Sequence, residues 1–190
     1  MATVDYKLIK NFFSKEELNI LQHFCYNKLG EGQYKYDDQC FSPCWRNDPL
    51  MNSILEIKKN FVEKQCGLEL LPTYAYWRYY VFGATLRNHI DRPACEISVS
   101  ACIKKYDNWE FIIEGESFEL EEGDGIIYAG LEQKHKRPGV YKGEGMAQIF
   151  LHYINKKGPF LHHAYDKNVN TTGEKISQED KIIIKKMYMK

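Results

Sequence analysis

Leu18, Leu21, Phe24/Cys25 and Leu29 recur at three- and four-residue intervals, the apolar stripe of an amphipathic helix. That helix has a defined start. Ser14 suits an N-cap, Glu17 completes a capping box, and Phe13 and Leu18 occupy the positions of a hydrophobic staple. A second helix is predicted in NDPLMNSILEIKKNFVEKQCG, capped by Asp48, with Pro49 at its first position and Gly67 at its stop. Leu50, Ile54, Ile57 and Phe61 are its expected buried face. Residues 30–47 between the helices are polar, carry Gly30, Gly32 and Pro43, and read as a surface loop.

After Pro72 the period shortens from helical to strand-like. TYAYWRYYVF is aromatic and β-branched, and CEISVSACIKK alternates, with Ile97, Val99, Ala101 and Ile103 on one face and Glu96, Ser98, Ser100 and Cys102 on the other. WEFIIEGESFELEEGD predicts a hairpin and a Gly-Asp turn; GIIYAG, LEQKHKR and GMAQIFLHYI supply further strands. Two helices followed by many short strands predict a mainly β domain, a sandwich or barrel braced by the helices. The domain is expected over residues 1–165. Residues 166–190 read as a polar appendage, with Ser177 and Asp180 at capping-box spacing for a short helix.

Charge narrows the partners. Lys plus Arg and Asp plus Glu balance at 26 each in 190 residues, which argues against a broad nucleic-acid grip. No run of about 18 apolar residues predicts a membrane span, and the N-terminus lacks the apolar core of a secretory signal. Six cysteines without a CxxC pair suit free thiols, and a reduced, cytoplasmic setting is expected.

The candidate chemistry lies in LRNHIDRPACEISVS. On an extended segment His89 and Asp91 point the same way. HxD alone arises by chance, and a third ligand must come from elsewhere; His135, after the hairpin block, is the candidate. Two histidines and one carboxylate leave coordination positions open on ferrous iron, although zinc also accepts such a set. His23 and His152 read as structural, and His162 and His163, being adjacent, point apart on an extended chain.

YVFGATLRNHID resembles the strand entering the metal site of the iron(II)- and 2-oxoglutarate-dependent dioxygenases, particularly the prolyl-4-hydroxylase-like group. Tyr80, Gly83, His89 and Asp91 match its spacing. FELEEGDGIIYAGLEQKH resembles the turn and strand before the distal histidine, with Glu122 at a usual proline and Tyr128 at the aromatic position, and YKLIKNFFSKEELNIL is similar to the family's N-terminal strand and helix. The resemblance implies a double-stranded β-helix (jelly roll), Fe(II) held by His89, Asp91 and His135, 2-oxoglutarate as cosubstrate, O2 as oxidant, and hydroxylation of a protein side chain or small metabolite with release of succinate and CO2.

One departure stands out. The family usually places an arginine or lysine about ten residues after the distal histidine to pair with the far carboxylate of 2-oxoglutarate; here that position is Gly145. Arg78 and Arg137 rank first as replacements, followed by Arg92 and Lys104, with Tyr80 as a hydroxyl donor. For Arg92 the competing structural role is an ion pair with Glu96. A cupin-like metalloenzyme without 2-oxoglutarate, or a non-catalytic ligand-binding jelly roll, are the alternative classes.

Overall fold

The computed structural model describes residues 4–166 and Ile182. The predicted tail, including the Ser177–Asp180 helix start, otherwise lies outside the described residues. Helix α1 (Lys15–Glu31) begins as expected: the Ser14 side chain accepts from the Glu17 N–H, and the Glu17 carboxylate accepts from the Ser14 N–H. Helix α2 (Pro49–Cys66) is capped by Asp48, which accepts from Leu50 N at 2.9 Å.

The α2 stripe is rotated from the predicted one. Met51, Ile54, Leu55 and Val62 are buried, whereas Ile57 is 66% exposed and Phe61 37%. Contact with the sheet sets this rotation: Tyr153 donates its hydroxyl to the Leu55 carbonyl. Phe61 instead leans edge-on against Phe12.

The strands are β1 (Lys7–Ile9), β2 (Lys35–Asp37), β3 (Ser42–Arg46), β4 (Leu70–Tyr80), β5 (Leu86–His89), β6 (Ile97–Lys105), β7 (Phe111–Ile113), β8 (Glu116–Phe118), β9 (Gly125–Tyr128), β10 (His135–Arg137) and β11 (Met146–Asn155). They form a seven-stranded sheet, β1-β9-β6-β11-β4-β3-β2, and a four-stranded sheet, β5-β10-β7-β8, all antiparallel. The architecture is the expected double-stranded β-helix, as two sheets rather than a closed barrel. Residues 30–47 differ from the predicted loop. Residues within them build β2 and β3, which extend the large sheet beyond β4.

Alternation divides the large sheet into two faces. Ile97, Val99, Ala101, Trp77, Ile149 and Leu151 join the helices in one core. Tyr80, Cys102, Ile126, Tyr128 and Phe150 belong to a second core with Phe111 and Ile113 of the small sheet. The polar side chains sharing this second, inner face are the ones that position chemistry. Among the described residues no helix is long and apolar enough to cross a membrane, and all six cysteines are unpaired.

Candidate metal centre and cosubstrate pocket

Strand register brings the histidines together. In the small sheet His135 of β10 stands directly opposite His89 of β5, and their ring centroids are 4.3 Å apart. Asp91 lies just past β5, where its N–H donates to the Gly130 carbonyl at 2.8 Å. Its Oδ1 is 3.7 Å from His89 Nε2 and 3.5 Å from His135 Nε2. One potential ligand atom from each residue lies within 4.8 Å of the others. Two atoms bound to one ion at about 2.1 Å lie no more than about 4.2 Å apart, so both Asp91 distances suit a shared metal.

The ring nitrogens are sorted by their partners. His89 Nδ1 faces the Arg87 carbonyl at 2.8 Å, and His135 Nδ1 the Gln133 carbonyl at 2.9 Å. A carbonyl only accepts, so each Nδ1 carries the proton and each Nε2 keeps its lone pair for the centre. Burial pushes the Asp91 carboxyl up, but the hydrogen bond and charge of His135 outweigh it and hold it below the usual range. Burial and then His135 hold His89 below its ordinary value. For His135, burial pulls down while Asp91 pulls up, and Asp91 prevails.

The surroundings fix this cluster. Ser98 donates to Asp91 Oδ2 at 3.2 Å and is 2.9 Å from His152 Nδ1. Tyr128 packs edge-on against His135 at 4.8 Å between centroids. Gly130 has no room for a side chain: a Cβ there would stand 2.5 Å from Asp91 Oδ2 and from the Cys95 carbonyl, and 2.6 Å from Ser98 Oγ. Gly130→Ala should therefore displace Asp91, cost about 1–3 kcal/mol through overpacking, and weaken Mn(II) binding. Thermal unfolding and an anaerobic metal titration check both effects; an unchanged titration would mean that Asp91 tolerates the added methyl.

A second set of potential ligands, Asp91, Cys95 and His152, shares the aspartate. Burial pushes the Cys95 thiol far up, and that sulfur sits 3.1 Å from the Tyr74 hydroxyl. A metal there would have to displace a buried thiol proton, whereas His89 and His135 already present free Nε2 lone pairs. His152 is held down to about 3 by burial and stays neutral. Its place in a strand pattern marks it only as structural, yet it sits beside the cluster through Ser98.

Beyond the histidines the inner face turns cationic. His135 and Arg137 share it, two residues apart on β10. Arg137 donates to the Trp109 carbonyl and to Gln148 Oε1, both neutral, and among the described residues it pairs with no carboxylate. Its Nε is buried without a partner, and burial holds the guanidinium below its ordinary value. Arg78 is also buried, but it is ion-paired to Asp37 and donates to the Tyr80 hydroxyl at 3.0 Å. Tyr80 stands between them, with guanidinium carbons at 5.3 Å and 5.5 Å from its ring. An oxygen that accepts from Arg78 leaves the Tyr80 proton free to donate.

The other two candidates lie elsewhere. Lys104 is ion-paired to Glu122 at 2.8 Å and lines a groove against α1 with Gln22 and Tyr26. The register slips between Ala147 and Gln148, so Ala147 faces Lys104 while Gln148 faces Cys102. That β-bulge leaves Ile103 unpaired and delivers Lys104 to the helix side. Arg92 pairs with Asp166 at 3.1 Å and lies over the Tyr74 ring, not with Glu96, whose carboxylate accepts from Asn155 N. At Gly145 a Cβ would overlap the Tyr79 ring, so a side chain there would require that ring to swing aside. Asp37 and Gln148 were missed by sequence reading. Asp37 lies in the stretch read as loop, and Gln148 had only its inward alternation to mark it.

No family model matches the sequence, and no curated protein matches it. Solved structures do match. A Pseudomonas putida prolyl-4-hydroxylase superposes with TM-score 0.65 at 15% identity, over 83% of this chain and 95% of its own. A viral collagen prolyl hydroxylase from Paramecium Bursaria Chlorella virus-1, solved with 2-oxoglutarate, gives 0.59 at 14%, over 78% and 94%. A non-heme alpha ketoglutarate dependent carbocyclase from nogalamycin biosynthesis gives 0.65 at 9%, over 80% of each chain. At these identities the likeness is one of fold. The chain has the fold of the 2-oxoglutarate–Fe(II) oxygenases in its prolyl-4-hydroxylase-like form, and a His-Asp-His cluster lies within it.

Proposed function

We propose that the protein is an Fe(II)- and 2-oxoglutarate-dependent oxygenase that hydroxylates a small metabolite or a protein side chain. One juxtaposition carries the reading: a His-Asp-His cluster with both Nε2 lone pairs turned inward, beside a buried arginine that has no carboxylate partner.

His89, Asp91 and His135 would hold the metal. Bound there, ferrous iron supplies the redox chemistry that couples conversion of 2-oxoglutarate and O2 into succinate and CO2 to insertion of one oxygen atom into a substrate C–H bond. The protein's own residues bind and orient. The backbone carbonyls of Arg87 and Gln133 keep the histidines in the ligating tautomer, and Ser98 steadies Asp91. Arg137 offers its charge to the distal carboxylate of 2-oxoglutarate, and Tyr80 offers a hydroxyl proton. Arg78, already neutralised by Asp37, orients Tyr80. Tyr128, Phe111 and Trp109 wall the site against water.

The balanced charge favours these substrates over nucleic acid, and the carbocyclase neighbour shows that this fold serves more than prolyl hydroxylation. The test is succinate formation from 2-oxoglutarate in air with added Fe(II). Slow uncoupled turnover is expected without substrate. Absence of 2-oxoglutarate binding to the anaerobic Mn(II)-loaded protein would defeat the proposal.

A further inference from the structure

Arg46 ends β3 on the inner face. Its cross-strand neighbour is Tyr76 of β4, whose own neighbour on β11 is Phe150. The Arg46 guanidinium lies 5.2 Å from the Tyr76 ring centroid, and Tyr76 stacks on Phe150 at 4.6 Å and 18°. Tyr76 also stacks on His152 at 5.7 Å, and His152 meets Ser98, which holds Asp91. A continuous aromatic floor therefore runs from Arg46 to the metal cluster.

Charge along this face does not balance. Arg46, Arg78 and Arg137 bring three positive charges. Among the described residues the one carboxylate that reaches them is Asp37, bound to Arg78 and 3.7 Å from Arg46. Asp91 is committed to the histidines. Cys40, beside Arg78, stays a neutral thiol because burial pushes it up to about 11, and burial likewise keeps Tyr76 and Tyr80 neutral. Three cations against one anion leave an excess of two. One is answered by the distal carboxylate of 2-oxoglutarate, so a single positive charge remains. Arg46 is the cation best placed to meet it: its side chain is 10% exposed against 3% for Arg78, and its contact with Asp37 is the longer.

We infer that Arg46 binds a carboxylate of the substrate, whose ring or other apolar part lies along Tyr76 and Phe150 toward His89, Asp91 and His135. A residual charge of one suits a carboxylate rather than a phosphate dianion, and a guanidinium fork matches its geometry. The inference rests on the oxygenase reading, which assigns the other excess cation to 2-oxoglutarate.

The test uses benzoate and its neutral isostere benzamide. Their binding to full-length Mn(II)-loaded protein is measured anaerobically under saturating 2-oxoglutarate, by calorimetry or tryptophan fluorescence. Benzoate should bind at least about 10-fold more tightly than benzamide, as one desolvated charge-assisted contact provides. Arg46→Gln should abolish the preference, and Arg46→Lys should restore part of it. The affinity for 2-oxoglutarate in the same variants reports that the fold and Arg137 are intact. Equal binding of the two probes to the wild type overturns the inference, as does a preference that survives in Arg46→Gln. Failure of the wild type to bind 2-oxoglutarate defeats the oxygenase reading separately; the same two probes, titrated without 2-oxoglutarate on the wild type and Arg46→Gln, then decide whether Arg46 holds an anion.

Discussion

Replacing His135 is expected to weaken Mn(II) or Fe(II) binding by more than about 100-fold. Removing an outer partner of a metal ligand already costs about 10–100-fold, and His135 is placed as a ligand itself. Two variants make the result readable. His135→Ala empties a packed site lined by Phe111 and Tyr128, and loss of a buried side chain of this size costs about 2–4 kcal/mol of stability. His135→Gln keeps most of the volume and offers a poorer ligand. Both should lose metal, and the second should keep its fold by far-UV circular dichroism. Cys95→Ala supplies the contrast. If the alternative set of Asp91, Cys95 and His152 were the site, that change would be the damaging one; with the metal held by His89, Asp91 and His135 instead, metal affinity should stay near wild type. Anaerobic titration followed by the Mn(II) resonance signal separates the cases, and full metal affinity in both His135 variants would refute the assignment.

Much of this arrangement was legible because it follows from short-range rules. The Ser14–Glu17 box and Asp48-Pro49 mark the helix starts, and the alternation in ISVSAC separates an apolar helix side from a polar inner side. The two-residue spacing of His89 and Asp91, with a return strand carrying His135, anticipates a cluster because register across an antiparallel pair places facing residues on one side. What escaped depends on long-range contacts or on breaks in alternation. β2 has two exposed residues out of three and β3 contains Pro43, so neither shows a strand period; Asp37 was hidden with them. A bulge, which no alternation rule foresees, turned Lys104 to the wrong side. Arg92 was captured by Asp166, 74 residues away, rather than by nearby Glu96. The ranking of Arg78 and Arg137 needed the same distant knowledge, because only the position of Asp37 tells which of them is already neutralised.

That difference predicts opposite behaviour for two buried arginines. Arg78→Gln would leave Asp37 in the interior with a hydrogen bond from the Gln39 N–H and, as its remaining ion pair among the described residues, the 3.7 Å contact to Arg46. Breaking a buried pair from one side costs about 3–5 kcal/mol, and each kcal/mol moves the melting temperature of a chain this size by about 2–4 °C, so a fall of about 6–20 °C is expected. Arg137→Gln removes a cation that has no carboxylate partner among the described residues and that burial already disfavours, so it should cost distinctly less stability. Its effect appears on 2-oxoglutarate. Losing the partner of a desolvated, hydrogen-bonded carboxylate costs about 2–5 kcal/mol, roughly a 30- to 5,000-fold weaker cosubstrate. The two effects meet in one measurement, the thermal shift of Mn(II)-loaded protein. At 100 times its dissociation constant a ligand stabilises the folded state by about 2.7 kcal/mol, so 2-oxoglutarate should raise the melting temperature of the wild type and move that of Arg137→Gln by no more than about a third as much. Arg78→Gln should start lower and still respond. A response kept by Arg137→Gln and lost by Arg78→Gln would transfer the distal carboxylate to Arg78, and with it the charge balance that singles out Arg46.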